Sequence, residues 1–159
     1  QDGIIYQGFI FFGLINVHEE PYVIEYNCRM GDPETEVVMP RLENDLLEMV
    51  QHLSSKSLNT VAVKHKPDAA CTVMMVAGGY PEAYKKGDEI SGLEQVKDSL
   101  VFHAGTKKEE DKILTNGGRV LAVTSYGKTI KEALAQSYTS ASMISFSNHY
   151  YRKDIGFEF

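Results

Sequence analysis

No apolar run in this 159-residue chain approaches the roughly 20 residues that a membrane-spanning helix needs, so such a helix is excluded. The longest, residues 9–15, is seven residues long and contains Gly13. Basic residues are also short: 16 Lys and Arg against 22 Asp and Glu leave a net charge of -6. With no basic stripe to offset that charge, nucleic acid is not expected as the main partner. The pairs Lys85-Lys86 and Lys107-Lys108 are each closely followed by acidic residues and read as solvated loops. Cysteine is scarce. Cys28 and Cys71 lie far apart, in neither a CxxC pair nor a Cys/His cluster. A zinc site is therefore unsupported, a reduced cytoplasmic setting is expected, and both thiols are expected to pack as small apolar groups. No Ser or Cys nucleophile pattern accompanies His103, which leaves a hydrolase triad without support. The opening residues lack a basic and apolar leader and an initiator Met, and residues 4–15 already read as strand. Secretion is not expected, and the chain reads as a fragment.

What is present is the composition of a globular protein, 43% hydrophobic and 24% charged, with length for one ordinary domain or two small ones. Residues 4–15, rich in Ile and Phe, suit a strand covered on both faces. A polar turn over 16–21 leads to a second strand over 22–27, and the two are expected to form an antiparallel hairpin. Asp32 suits a helix N-cap and Pro33 the first helical position, with Glu34 and Glu36 in the first turn. Pro40 should kink or divide this helix, and Leu42, Leu46, Val50 and Leu53 then fall on one face. Ser54-Ser55-Lys56-Ser57 marks a boundary, giving units 1–57 and 58–159.

In the second unit, strands are expected over 70–77, 100–104, 112–114 and 119–124, with a turn at Gly78-Gly79-Tyr80-Pro81. Asn116-Gly117 between the last two predicts a tight hairpin. Thr129 caps a final helix whose apolar side carries Ile130, Ala133, Leu134, Tyr138 and Ala141, and residues 149–159 form a closing strand and tail. The fold class is α/β of the α+β type, with antiparallel sheet and few helices.

The chemistry concentrates in Glu25-Tyr26-Asn27-Cys28-Arg29. Strand side chains alternate, so Glu25, Asn27 and Arg29 are expected on one face: a carboxylate, an amide oxygen and a fixed cation. Magnesium takes hard oxygen ligands, one or two from protein and the rest from phosphate and water, and Arg can grip a phosphate or carboxylate in bidentate fashion. The same residues would equally serve as the polar outer face of an amphipathic strand, and E-x-N alone does not separate the two readings.

The longer stretch IEYNCRMGDPETEVVMP, residues 24–40, resembles the metal-and-phosphate strand of the ATP-grasp superfamily and, from Arg29 to Val38, the signature of the glycinamide ribonucleotide synthetase family. The resemblance continues through Gly79-Tyr80-Pro81, Phe102-His103-Ala104-Gly105-Thr106, the segment from Thr115 to Leu121, and Arg152-Lys153-Asp154-Ile155-Gly156, covering nearly the whole chain in order. Met30 stands where the family more often has Phe or Leu.

The resemblance implies the end of an ATP-grasp domain followed by a small C-terminal antiparallel-sheet domain. It also implies a part in an ATP-dependent carbon–nitrogen ligase of de novo purine biosynthesis. That enzyme joins glycine to 5-phosphoribosylamine through a glycyl phosphate, releasing ADP and phosphate. By carry-over, Glu25 and Asn27 would hold Mg2+ or Mn2+, and Arg29 would steady the transferred phosphate or the glycine carboxylate. Asp32 and Glu34 would lie near the amine substrates, although Asp32 as a plain helix cap is an equal reading. Leu14 would floor the adenine pocket or serve as core. Arg119 and Lys153 would reach the ribose phosphate, or belong to a tight turn and a surface ion pair.

The substrate domain and the nucleotide-clamping lysines of the family are expected upstream of Gln1, so the chain alone is expected to show no ligase activity. Two alternatives remain: another ATP-grasp carboxylate–amine ligase or carboxylase, which Gly31-Asp32-Pro33-Glu34 argues against, and a non-catalytic α/β interaction module.

Overall fold

The computed structural model describes residues 2–157, which divide between Lys66 and Pro67 into two compact units. Residues 58–66 thus group with the first unit rather than opening the second. Backbone bonds tie them to the end of the first helix: Glu43 N–H donates to the Lys64 carbonyl (3.0 Å) and Lys66 N–H to that of Arg41 (2.8 Å). Asn44 adds two more, accepting from Lys64 N–H and donating to the Ala62 carbonyl.

The first unit opens its regular structure with β1 (Phe11–Val17) and β2 (Glu20–Asn27), an antiparallel hairpin as expected. Its turn is tighter than the six polar residues suggest: only His18 and Glu19 are unpaired, at φ 53° and 68°. Two consecutive positive φ values match the right-handed twist of the flanking strands. Two expectations fail here. Residues 4–10 are not strand, and the ribbon is not covered on both faces. Phe12 is 52% exposed, Leu14 56%, Ile24 66% and Tyr26 65%. A two-stranded ribbon has two faces and no second layer of its own, so apolar composition cannot by itself bury either one. Cys28, expected to pack, is exposed as well.

Beyond β2, α1 (Thr35–Arg41) begins three residues after Asp32. Glu34, not Asp32, occupies the N-cap position, and the Asp32–Pro33 peptide is cis. The reason is local: both the N–H and the hydroxyl of Thr35 donate to the Gly31 carbonyl, which starts the helical turn from Gly31. Pro40 does end the element, since α1 stops one residue later. The next helix, α2 (Leu46–Ser54), is capped by Asp45, whose carboxylate accepts from Leu47 N–H (2.8 Å) and Glu48 N–H (3.2 Å). Leu42, Leu46, Val50 and Leu53 share an apolar cavity of about 270 Å³ with Met30 and Met39.

The second unit is built on a three-stranded antiparallel sheet in the order β3 (Ala69–Val76), β7 (Arg119–Gly127), β4 (Leu100–His103). β7 is central, and residues 120–125 along it are all buried. Helix α3 (Ile130–Met143) packs on β3 and β7 and seats Ala133 and Ala141 in the core beside Val73, Met75 and Leu121. Its cap is Thr129, whose Oγ1 accepts from Glu132 N–H, and the Glu132 carboxylate reaches back past the cap to accept from Lys128 N–H. Polar groups between helix and sheet satisfy one another. Ser137 Oγ donates to the Cys71 carbonyl (2.9 Å) and lies 3.0 Å from Ser125 Oγ, while Ser99 bridges Ser125 and Ser140. Partial burial pushes the Cys71 thiol pKa up, away from the thiolate form.

The predicted 112–124 hairpin does not form. β6 (Lys112–Thr115) pairs instead with β5 (Thr106–Glu109) in a separate ribbon turned at Glu110 and Asp111, with Glu110 at φ 53°. Asn116-Gly117-Gly118 carries the chain between sheets. Its glycines permit close approach rather than positive φ: a Cβ on Gly117 would stand 2.9 Å from the Gly105 Cα. The closing strand over 149–159 is likewise reduced to one bridge, in which Tyr150 and Val76 exchange N–H to carbonyl bonds (3.0 and 2.8 Å). The chain then turns back because Tyr138 Oη donates to the Arg152 carbonyl and accepts from Ile155 N–H. The last two residues of that predicted element lie outside the described residues. Among the described residues no helix is long and apolar enough to cross a membrane.

Candidate metal and phosphate site

The last turns of β2 carry the candidate ligands. Asn27 Nδ2 donates to Glu25 Oε1 at 3.0 Å, so the two side chains stand on the same side of the strand. With its amide nitrogen engaged, Asn27 presents its oxygen, and Glu25 keeps its second carboxylate oxygen. The bulge in the ribbon lies just before them. Gly13 pairs with Glu25 but Leu14 pairs with Val23, which leaves Ile24 as the extra residue. The slip falls upstream of Glu25 and does not separate it from Asn27.

Gly13 is the residue that reading by strand period misses. A Cβ there would stand 2.9 Å from Glu25 Cγ, so the bare backbone of β1 is what lets the carboxylate lie where it does. A glycine inside a strand signals close approach of this kind.

Arg29 lies two residues beyond the end of the strand. β2 ends at Asn27, strand alternation no longer dictates the direction of Arg29, and its Nη1 donates to the Met30 carbonyl at 2.9 Å. Asp32 is exposed ahead of the cis bond, while the Glu34 carboxylate folds against Gly31 at the start of α1. Leu14 is exposed on β1, which excludes the plain core role within this unit.

In the second unit, Arg119 opens β7 opposite Val76, and Tyr150 meets Val76 from the other side. Arg119 and the tail bearing Lys153 therefore flank the same end of β3. The ion pair of that tail is made by Arg152, not Lys153: Nε and Nη2 hold the two Asp154 oxygens at 2.9 and 3.0 Å. This hydrogen-bonded pair lowers the Asp154 pKa and raises that of Arg152. His103 bonds locally through Nδ1 to Thr106 Oγ1.

Glu25 and Asn27 supply one anionic and one neutral oxygen. That donor set suits magnesium or manganese shared with phosphate, since Mg2+ keeps most of its positions for phosphate and water. Among the described residues no group of three His, Cys, Asp or Glu assembles, so a site saturated by protein carboxylates and imidazoles is not what this set offers.

The profile for "Phosphoribosylglycinamide synthetase, C domain" matches residues 70–158, and that for "Phosphoribosylglycinamide synthetase, ATP-grasp (A) domain" matches residues 1–35. The phosphoribosylamine–glycine ligase of Fusobacterium nucleatum is 46% identical over 153 residues, covering 94% of this chain and 36% of that protein. The chain belongs to the phosphoribosylamine–glycine ligase family.

The family member from Vibrio vulnificus is likewise 46% identical, over 98% of this chain and 37% of its own length. The crystal structure of the Thermotoga maritima phosphoribosylamine–glycine ligase superposes with a TM-score of 0.83 at 36% identity, covering 96% of this chain and 38% of that one. The chain thus spans a little over a third of the length of the phosphoribosylamine–glycine ligases it matches, and the mixed α/β architecture with antiparallel sheets is that of the family.

Proposed function

We propose that this chain forms the metal-and-phosphate edge and the C-terminal domain of a cytoplasmic, ATP-dependent ligase joining glycine to 5-phosphoribosylamine. The observation that carries the reading is the Asn27–Glu25 hydrogen bond, which sets two oxygen donors side by side on β2 within the stretch that matches the ATP-grasp profile.

In the proposed reaction a glycine carboxylate oxygen attacks the γ-phosphorus of ATP and ADP leaves. The amine nitrogen of phosphoribosylamine then attacks the glycyl phosphate carbonyl, and the amide forms as phosphate leaves and the nitrogen loses a proton. Mg2+ or Mn2+, held by Glu25 and Asn27, would disperse the charge that develops on the phosphates. Arg29 would steady the transferred phosphate or the glycine carboxylate. Asp32 and Glu34 would face the amines, Leu14 the adenine, and Arg119 and Lys153 the ribose phosphate. The expectation that these 159 residues alone do not turn over belongs to the same reading.

The direct test is ADP release by the full-length ligase carrying this chain. Release should require glycine and phosphoribosylamine together. Release supported by another carboxylic acid, or by bicarbonate, would assign it to a different ATP-grasp reaction.

A second outcome follows from Gly13. Substituting Gly13→Ala places a methyl group against Glu25 Cγ and should raise the magnesium concentration needed for half-maximal turnover, by about tenfold for roughly 1.4 kcal/mol of lost metal binding. A magnesium titration with an unchanged midpoint would show that Gly13 does not place the carboxylate.

A further inference from the structure

β1 opens on Phe11, and the ribbon register sets that residue directly opposite Asn27. Gly13 follows two positions later, opposite Glu25, and the bulge begins only after it. The Phe11 side chain therefore shares the face of the two oxygen donors. Residues opposed in this way bring their Cβ atoms to about 4.5–5.5 Å, so the ring neighbours the Asn27 amide. Phe12, by contrast, lies on the other face, 52% exposed and edge-on to Tyr26 with ring centroids 5.2 Å apart. Phe11 is partly covered.

The covering comes from the stretch that leads into α1. Gly31 is buried, and a Cβ there would stand 3.0 Å from Phe11 Cδ2 and 3.0 Å from Glu34 Cδ, with Glu34 Oε2 closer still. Ring and carboxylate thus converge over the bare Gly31 Cα, which has no room for a side chain of its own. Phe11 is left as an apolar wall, with the oxygen pair on one side and the Glu34 carboxylate on the other.

That placement limits what can bind. In the proposed reaction the carboxylate of the amino acid must approach the metal-held phosphate, while its ammonium needs an acidic neighbour. The first demand sets one end of the molecule at Glu25 and Asn27, and the second sets the other at Glu34. The α-carbon between them then passes beside the Phe11 ring. Glycine presents only hydrogens there. Any larger amino acid presents a side chain, and a clash built against the wrong ligand is a source of specificity.

We propose that Phe11 is a specificity-determining residue, the wall that selects glycine over amino acids bearing a side chain. The assignment rests on the ligase reading for the two ends of the amino acid. The ring itself makes no bond that changes in the reaction.

The test compares L-alanine with glycine in ADP release by the full-length ligase, with ATP and phosphoribosylamine saturating. Phe11→Ala opens the wall and should raise the ratio of kcat/KM for alanine to that for glycine by about tenfold or more, the scale of one methyl group in a shaped pocket. Phe11→Leu, shorter but still apolar, should move the ratio the same way by less, and it carries the test if Phe11→Ala does not fold. Phe11→Tyr keeps the ring and should keep the discrimination.

A purely structural role would lower the rates with both amino acids together and leave their ratio where it was. An unchanged ratio in Phe11→Ala and Phe11→Leu, with ADP release still dependent on glycine, overturns the assignment of Phe11 and keeps the ligase. ADP release that needs no glycine in the unsubstituted enzyme removes the ligase reading, and with it the amino acid that Phe11 would select.

Discussion

Changing Glu25 to Gln in the full-length ligase is expected to lower kcat/KM for ATP by about 10²-fold or more, the scale of removing one electrostatic contact to developing phosphate charge. Gln keeps the shape of Glu and an oxygen able to accept from Asn27 Nδ2, so the 3.0 Å bond and the local strand need not change. What disappears is the only formal negative charge of the Glu25–Asn27 donor pair. The loss should appear mainly as a raised magnesium requirement and a lowered kcat, with the thermal midpoint unchanged because β2 is exposed within its unit. Asn27→Leu should act in the same direction by removing the second oxygen and releasing the Glu25 carboxylate from its clamp. Normal turnover in both variants would leave an acidic strand that is merely solvated, and a non-catalytic α/β module would then be the better reading.

The largest effect on stability is expected at the centre of the second unit. Leu121 is fully buried on β7, the strand hydrogen-bonded on both sides, and lies in the main apolar cluster with Val73, Met75 and Ile144. Leu121→Ala removes three carbons from a close-packed layer that backbone pairing on both edges prevents from collapsing. It should cost about 2–5 kcal/mol. For a unit of this size that corresponds to a fall of roughly 10–25 °C in midpoint, measured by calorimetry or circular dichroism. Ile113, only partly buried against the same cluster, offers an internal comparison: Ile113→Val should cost less because less packed surface is lost. Equal effects at the two positions would mean that β7 is not the centre of the cooperative unit.

The candidate site illustrates how far local pattern carries. Glu25 and Asn27 are two residues apart on a strand, and a strand repeats every two residues, so their shared side is legible in any sequence that makes a strand there. Arg29 obeys the same spacing, but β2 has ended before it, and where a strand stops depends on how far its partner runs. Asp32 offered good cap chemistry and was passed over because Thr35 binds back to the Gly31 carbonyl. Asp45, three residues ahead of Glu48, carried an equally good signal that tertiary context allowed to operate. Gly13 could be seen only as an interruption until β1 was laid beside β2.

Taken alone, the residue order determined the elements whose causes lie within a few positions: the β1–β2 hairpin, the Thr129 cap, the break at Pro40, the carboxylate–amide pair and the run of residues that marks the family. Only the folded chain decided which strands pair and what each glycine is for. β6 turned to β5 rather than β7, and Gly117 served a close crossing instead of a hairpin turn. The reason is the range of the forces. Caps, turns and strand period are settled by neighbours along the chain. Partner choice is settled by contacts such as Ser137 to Cys71, 66 residues apart, which exist only once a whole core has closed around them.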